Sequence, residues 1–390
     1  MGHPATGGGY NTAVCRTSTV GGSFLCEAQM SKYLLGILLL LPLVAAQPQD
    51  RPVLLAAHRA GRVELLNVDT LQPMGSIVVP PLADGVMGAS KGVLFLRAGL
   101  SPDFRGCCAL YALDLKTRNM TKLLQPVSGF TVSPDARHIV TQRGNTGIEV
   151  FDARTLQPEP SIPRSIAPGI YGLSFSPDGH LLFGTSNFPS PAVDILDFNE
   201  RKLVRRLPLP EEFAIRGAWV DGDYYVYGYR QATGELWRVK ADDSELKMPV
   251  KIDLPDLAPE CELHDQGVRA VGDRLLVFEL FGGKGDRRGA CRKNIPGGAF
   301  LVDPKTGKQI AHITPELHFA QLISTEDGAE LYGIDLASAG WTSVAVVRLN
   351  ATTGQIIATQ KLSSDVWFID LVNIPEELLP HGQLEVKASK

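Results

Sequence analysis

The stretch Gly282-Gly283-Lys284-Gly285-Asp286-Arg287-Arg288-Gly289 has the residue types of an anion cradle, a glycine-rich backbone with three cations close by. It lacks the Lys-Ser/Thr pair that opens a helix in a phosphate-binding loop, so it reads as a mobile connection between strands. Gly172-Leu173-Ser174-Phe175-Ser176 falls one residue short of the G-x-S-x-G pattern that lifts a nucleophilic serine onto a strand-to-helix turn. No such turn follows, and Ser174 is expected to be structural. The histidines His58, His138, His180, His264, His312 and His318 form no pair at metal-ligand spacing and read as surface or hydrogen-bonded core residues. His264, close to Glu262, Asp265 and Cys261, has the most reactive surroundings. Trp219, Trp237, Trp341 and Trp367 read as packing residues. No acid, base and nucleophile group is visible, so no catalytic residue, metal site or cofactor is assigned.

An internal repeat supplies the elements that position these residues. Its first part is an apolar-x-apolar-x-Asp strand followed by a turn. It occurs at Leu65 to Asp69, Tyr111 to Asp114, Val150 to Asp152, Ile195 to Asp197, Leu236 to Lys240, Phe300 to Asp303 and Val347 to Asn350. An Asp or Asn at the strand end bonds nearby backbone amides while glycine takes the positive φ of the turn, so each copy predicts a hairpin. The second part is a pair of apolar strands around a Ser-Pro-Asp-Gly-like turn. It is clearest at Ser133-Pro134-Asp135 and Ser176-Pro177-Asp178-Gly179 and looser around Gly92, Gly222, Gly272 and Gly328. Together the parts give four strands per unit, recurring every 38 to 63 residues or so, the span of a propeller blade.

The first unit begins with its second strand, Val53 to His58, and Val366 to Val372 reads as a first strand with nothing of its own to follow. Pairing the two would close a ring and remove open edges. The prediction is an all-β, seven-bladed β-propeller closed by its N- and C-terminal strands, spanning residues 47–390 as one domain.

The repeat resembles the YVTN and WD40-like propellers of exported bacterial proteins. Ile148 to Leu156, and Ser174 to Leu209 with Pro191-Ala192-Val193-Asp194, are similar to the heavy chain of quinoprotein amine dehydrogenases. That likeness covers about 60 residues. It implies a periplasmic subunit that carries no cofactor and docks a light chain bearing a tryptophan-derived quinone; no catalytic residue carries over.

Compartment follows from the N-terminus. Met30-Ser31-Lys32, the apolar run Tyr33 to Leu41 and the small-residue end Val44-Ala45-Ala46 have the form of a secretory signal peptide over residues 30–46, cleaved before Gln47. Residues 1–29 read as an upstream extension. A periplasmic or extracellular protein with no integral membrane span after cleavage is expected. Cys107, Cys108, Cys261 and Cys291 then meet an oxidising environment. Cys261 precedes the first strand of the sixth unit and Cys291 lies between its second and third, connections that emerge on one face, so a Cys261–Cys291 disulfide is expected. Cys107 and Cys108 remain thiols or form a vicinal bridge. A formal net charge of -4 with interspersed signs provides no field for nucleic acid.

Aligning the units by their turns brings the second-strand ends to one mouth of the channel. Arg59, Arg97, Arg143, Arg230 and Asp335 are the candidate ligand-binding residues there. Converging guanidinium groups suit a carboxylate or phosphate. The leading expectation is a binding or scaffold propeller that takes a protein partner or a small anionic ligand at one face. The alternative is a propeller enzyme of the lactonase or hydrolase type with its site at the central channel.

Overall fold

The computed structural model describes residues 50–388 apart from 91, 99–107, 128, 143–146, 168, 187–189, 210–214, 229–234, 241–248, 257–260, 264–267, 279–280, 284–296, 337–342, 364, 380–381 and 385. Seven sheets carry the chain, each built on four antiparallel strands labelled a to d from the centre outward. Blade 1 is built from Val366–Pro375, Asp50–His58, Arg62–Asn67 and Pro73–Val78, and blade 2 from Leu82–Ser90, Val93–Ala98, Ala109–Asp114 and Asn119–Leu124. Blade 3 takes Gly129–Val132, His138–Gln142, Gly147–Asp152 and Pro158–Pro163, and blade 4 takes Ile170–Phe175, Leu181–Ser186, Ala192–Asp197 and Lys202–Pro208. Blade 5 comprises Ile215–Val220, Asp223–Gly228, Glu235–Val239 and Val250–Lys251. Blade 6 comprises Val268–Val271, Arg274–Phe278, Ala299–Val302 and Gln309–Ile313, and blade 7 Phe319–Ser324, Glu330–Asp335, Ser343–Asn350 and Ile356–Ser363.

Each a strand touches the a strands of the blades before and after it, and the contact from blade 7 back to blade 1 completes the circle. The chain is a seven-bladed β-propeller. Closure is made as the sequence implied: Val53 pairs with Val372 and Ala57 with Phe368, joining N- and C-terminal strands in blade 1.

The alternation of side chains along a strand explains the stacking. In strand b of blade 1, Val53, Leu55 and Ala57 face the layer shared with blade 2, while Leu54 and Ala56 face the layer shared with blade 7. The same division recurs around the ring, so seven apolar layers lie between seven pairs of successive sheets. Both faces of b and c are buried, which is why those strands read as continuous apolar runs.

The turns work as the repeat implied. In six blades a carboxylate or amide at the end of c accepts the N–H groups that follow. Asp114 Oδ1 takes those of Lys116 and Thr117 at 2.8 and 3.0 Å, and Asn350 Oδ1 those of Thr352 and Thr353 at 3.0 and 2.9 Å. Asp152, Asp197 and Asp303 act alike. In blade 1 the part falls to Asn67, not to Asp69. Four residues after each, the backbone has positive φ. Glycine occupies that place at Gly307 and Gly354, but Leu71, Arg118, Leu156 and Arg201 occupy it elsewhere.

Beyond strand a of blade 1 the chain continues through the 3-10 turn Glu376–Leu378 to two short parallel fifth strands. Gly382–Leu384 lies on the outer edge of blade 1 and Lys387–Ala388 on that of blade 2. Among the described residues no helix is long and apolar enough to cross a membrane.

Candidate functional site

Strand b of every blade turns into c at one end of the molecule, and there d hands over to the next a. The b strands end at His58, Ala98, Gln142, Ser186, Gly228, Phe278 and Asp335. Of these, His58, Gln142, Ser186 and Asp335 are buried polar residues, an uncommon content for strands otherwise filled with Val, Leu and Ile.

His58 is fully buried and lies in a brace of charged groups. Its Nδ1 donates to Asp365 Oδ1 at 2.9 Å, with Ser363 Oγ 3.1 Å away, and its Nε2 faces Glu64 Oε2 at 3.5 Å. Arg62 adds an ion pair to Glu64 at 2.9 Å. The hydrogen bond from His58, helped by the charges of His58 and Arg62, holds the Glu64 carboxyl below the usual range despite partial burial. Burial alone would raise the Asp365 carboxyl, but hydrogen bonds from Ser363 and His58 outweigh it and lower it.

Serine, histidine and aspartate are the members of a hydrolytic triad, yet the wiring differs. A triad base holds the serine proton on one ring nitrogen and a carboxylate on the other. Here Ser363 Oγ donates to Asp365 Oδ1 at 2.5 Å, both groups crowd Nδ1, and Nε2 meets a second carboxylate. The arrangement ties strand b of blade 1 to the connection entering Val366–Pro375; it does not activate Ser363. The sequence signal for it was a histidine at the end of an apolar strand, but Asp365 and Ser363 lie 307 and 305 residues away.

Arg59 follows His58 and is exposed, its backbone N–H bonded to Asp365 O at 3.0 Å. Arg97 is half-buried on strand b of blade 2 and reaches toward blade 3, with Nη1 3.9 Å from where a Cβ on Gly129 would stand. Asp335 is buried in blade 7 and accepts the His318 N–H at 3.1 Å. These three belong to consecutive blades 7, 1 and 2 at one mouth. Arg143 and Arg230 lie outside the described residues. So do Cys291 and the Cys261 side chain, although strand Cys261–Leu263 pairs with Phe281–Gly283, bringing together the two connections on which those cysteines stand. Gly282 and Gly283 are therefore strand residues and not open loop; Lys284 to Gly289 falls outside the described residues. Buried Cys108 is disulfide-bonded, which removes the free-thiol alternative for it.

Other candidates among the described residues take structural parts, while His264 lies outside the described residues. Ser174 Oγ accepts the Trp219 indole N–H at 3.1 Å, and Trp219 packs edge-on to Phe183. His138 pairs with Glu159, His180 with Asp197, and His312 stacks on Phe300. Among the described residues no three His, Cys, Asp or Glu side chains gather as metal ligands. At the mouth end of blade 4, buried Asp194 meets Arg206 through both oxygens at 3.3 Å, and burial raises its pKa in spite of that cation.

No family model matches the sequence, and no curated protein matches it. The chain is similar to the solved structure of dihydro-heme d1 dehydrogenase NirN in complex with DHE, at 14% identity and TM-score 0.52, over 84% of this chain and 76% of that one. It is also similar to the computationally designed Ika8 protein, at 10% identity and TM-score 0.51, over 83% of this chain and 96% of that one. At such identities the likeness is one of fold alone.

Proposed function

We propose that this chain is an exported docking propeller, a binding or scaffold protein that receives an anionic group or an acidic partner surface at the mouth where the b strands end. The observation that carries the reading is the placement of Arg59 and Arg97 on adjacent blades at that mouth, while the nearby Ser363, His58 and Asp365 are bound to one another. Guanidinium groups at a mouth walled by strands bind carboxylates and phosphates with geometric selectivity. The local likeness to the amine dehydrogenase heavy chain supports a non-catalytic subunit. The disulfide at Cys108 supports an oxidising compartment, as does the signal-like segment over residues 30–46. A Cys261–Cys291 bridge completes the proposal, and non-reducing peptide mapping reads it directly.

The test compares the parent with Arg59→Gln and Arg97→Gln, singly and together, against citrate, inorganic phosphate and an acidic peptide by calorimetry. Binding by the parent that drops about tenfold or more in the double variant supports the mouth. Equal binding by both proteins, or none by the parent, sinks it.

A further inference from the structure

At the end opposite the mouth, where a turns into b, a cavity of about 740 Å³ opens along the seam between blades 7 and 1. Its walls come from the a–b turn of blade 7 and the last residues of strand a in blade 1, with Pro52 beside them. Glu326, Asp327, Glu330 and Asp370 line it, and no lysine, arginine or histidine does. Pro52, Ile323, Leu371 and Val372 give it an apolar wall. The volume lies within the range of small-molecule sites, roughly 300–1,000 Å³.

The carboxylates are not equivalent. Glu330 is neutralised by Arg348, whose Nε donates to Oε2 at 2.8 Å, and Asp327 caps its own turn by accepting from Thr325 and Ala329. Asp370 is different. It looks into the cavity from strand a, one oxygen accepts the Leu371 N–H at 2.9 Å, and among the described residues the other accepts no hydrogen bond. Burial pushes its pKa up to about 7, and the charge of Arg269, on strand a of blade 6, only partly offsets this. Asp370 is partly exposed toward the cavity, and among the described residues no positively charged group is in contact with its free oxygen.

We propose that this cavity binds small aliphatic diammonium or polyammonium ions, with Asp370 holding one ammonium group, the apolar wall carrying the alkyl stem and Glu326 with Asp327 receiving the second. A metal ion does not suit the cavity, because its carboxylates are spread along the wall and do not converge as a ligand set. A fully aqueous cation does not suit it either, since half the wall is apolar. The inference is independent of the mouth, which lies at the other end of the strands.

Calorimetry at pH 8 with 1,4-diaminobutane, butylamine, butyrate and Mg²⁺ tests it on the full chain. Saturable binding of the diamine is expected, at least tenfold tighter than butylamine, with none of butyrate. Asp370→Asn weakens it tenfold or more, and Glu326→Lys removes the advantage of diamine over butylamine. Binding by the parent weakens as the pH falls through about 7, because Asp370 takes a proton, while Asp370→Asn loses that dependence. Glu326, Asp327 and Glu330 face the same space, and Arg269 is the cation whose charge reaches Asp370. No diamine binding, equal binding by both variants and the parent, or Mg²⁺ competing as well as butylamine overturns the proposal. If Asp370→Asn does not fold, Glu326→Lys alone decides by its effect on the diamine-to-monoamine ratio.

Discussion

Gln321 and Ile369 are joined by two hydrogen bonds across the closing seam: Gln321 Nε2 donates to Ile369 O at 2.8 Å, and the Ile369 N–H donates to Gln321 Oε1 at 2.7 Å. Both residues are buried on the a strands of blades 7 and 1. A side-chain amide there does for its neighbour what a strand partner does within a sheet. Gln321→Leu leaves an N–H and a carbonyl buried and unpaired, and should cost about 2–4 kcal/mol. Urea unfolding measures this, and hydrogen exchange should show the loss concentrated at Val366–Pro375. A change below about 0.5 kcal/mol would mean water takes over both bonds.

The pH dependence of stability should have two limbs of opposite sign. Glu64 and Asp365 have folded pKa values below their ordinary 4.5 and 3.8. Their contribution is whole above those values and is lost as the pH falls through the lower folded ones. Asp370 is the reverse, raised from 3.8 to about 7, so its contribution is whole below 3.8 and is lost as the pH rises through 7. Asp370→Asn should therefore be more stable than the parent at pH 8, by roughly 1–3 kcal/mol, with little difference at pH 4. Thermal melts from pH 3 to 8 on both proteins read the two limbs separately.

The fifth strands predict the effect of truncation. Leu379 and Leu384 are buried in the layer between blades 1 and 2, and Gly382–Leu384 covers the edge of Pro73–Val78. Removing residues 379–390 exposes that layer and two strand edges. A loss of about 3 kcal/mol is expected from the two leucines, together with concentration-dependent association through the freed edges. Light scattering and urea melts check both.

A local substitution should act in the other direction. Arg118 is exposed, has φ 61°, and holds the turn position that Gly307 and Gly354 occupy in blades 6 and 7. Arg118→Gly relieves a side chain from the left-handed region and should stabilise by about 0.5–1 kcal/mol. A destabilised variant would show that the Arg118 side chain contributes more than its backbone costs.

Apolar alternation, the Asp or Asn at the end of strand c and the turn that follows were all readable along the chain, because each rests on bonds between residues two to five apart. Asp114 with Thr117 and Ser133 with His138 are such bonds, and their repetition was enough to count blades and to place closure in blade 1. The sequence also marked the ends of the b strands, so Arg59, Arg97 and Asp335 could be assigned to one mouth. It did not show what His58 does there, which depends on Asp365 and Ser363 arriving from the far end of the chain. Gln321 is a polar residue on an inner strand whose partner, Ile369, stands 48 residues further along the chain. The acid-lined cavity is likewise assembled from residues near 52, 325 and 370, which meet only when blade 7 docks on blade 1. Local hydrogen bonds and side-chain period determine the blade. What each buried polar group pairs with is decided by ring closure, because only then are distant carboxylates, amides and strand edges withdrawn from water together.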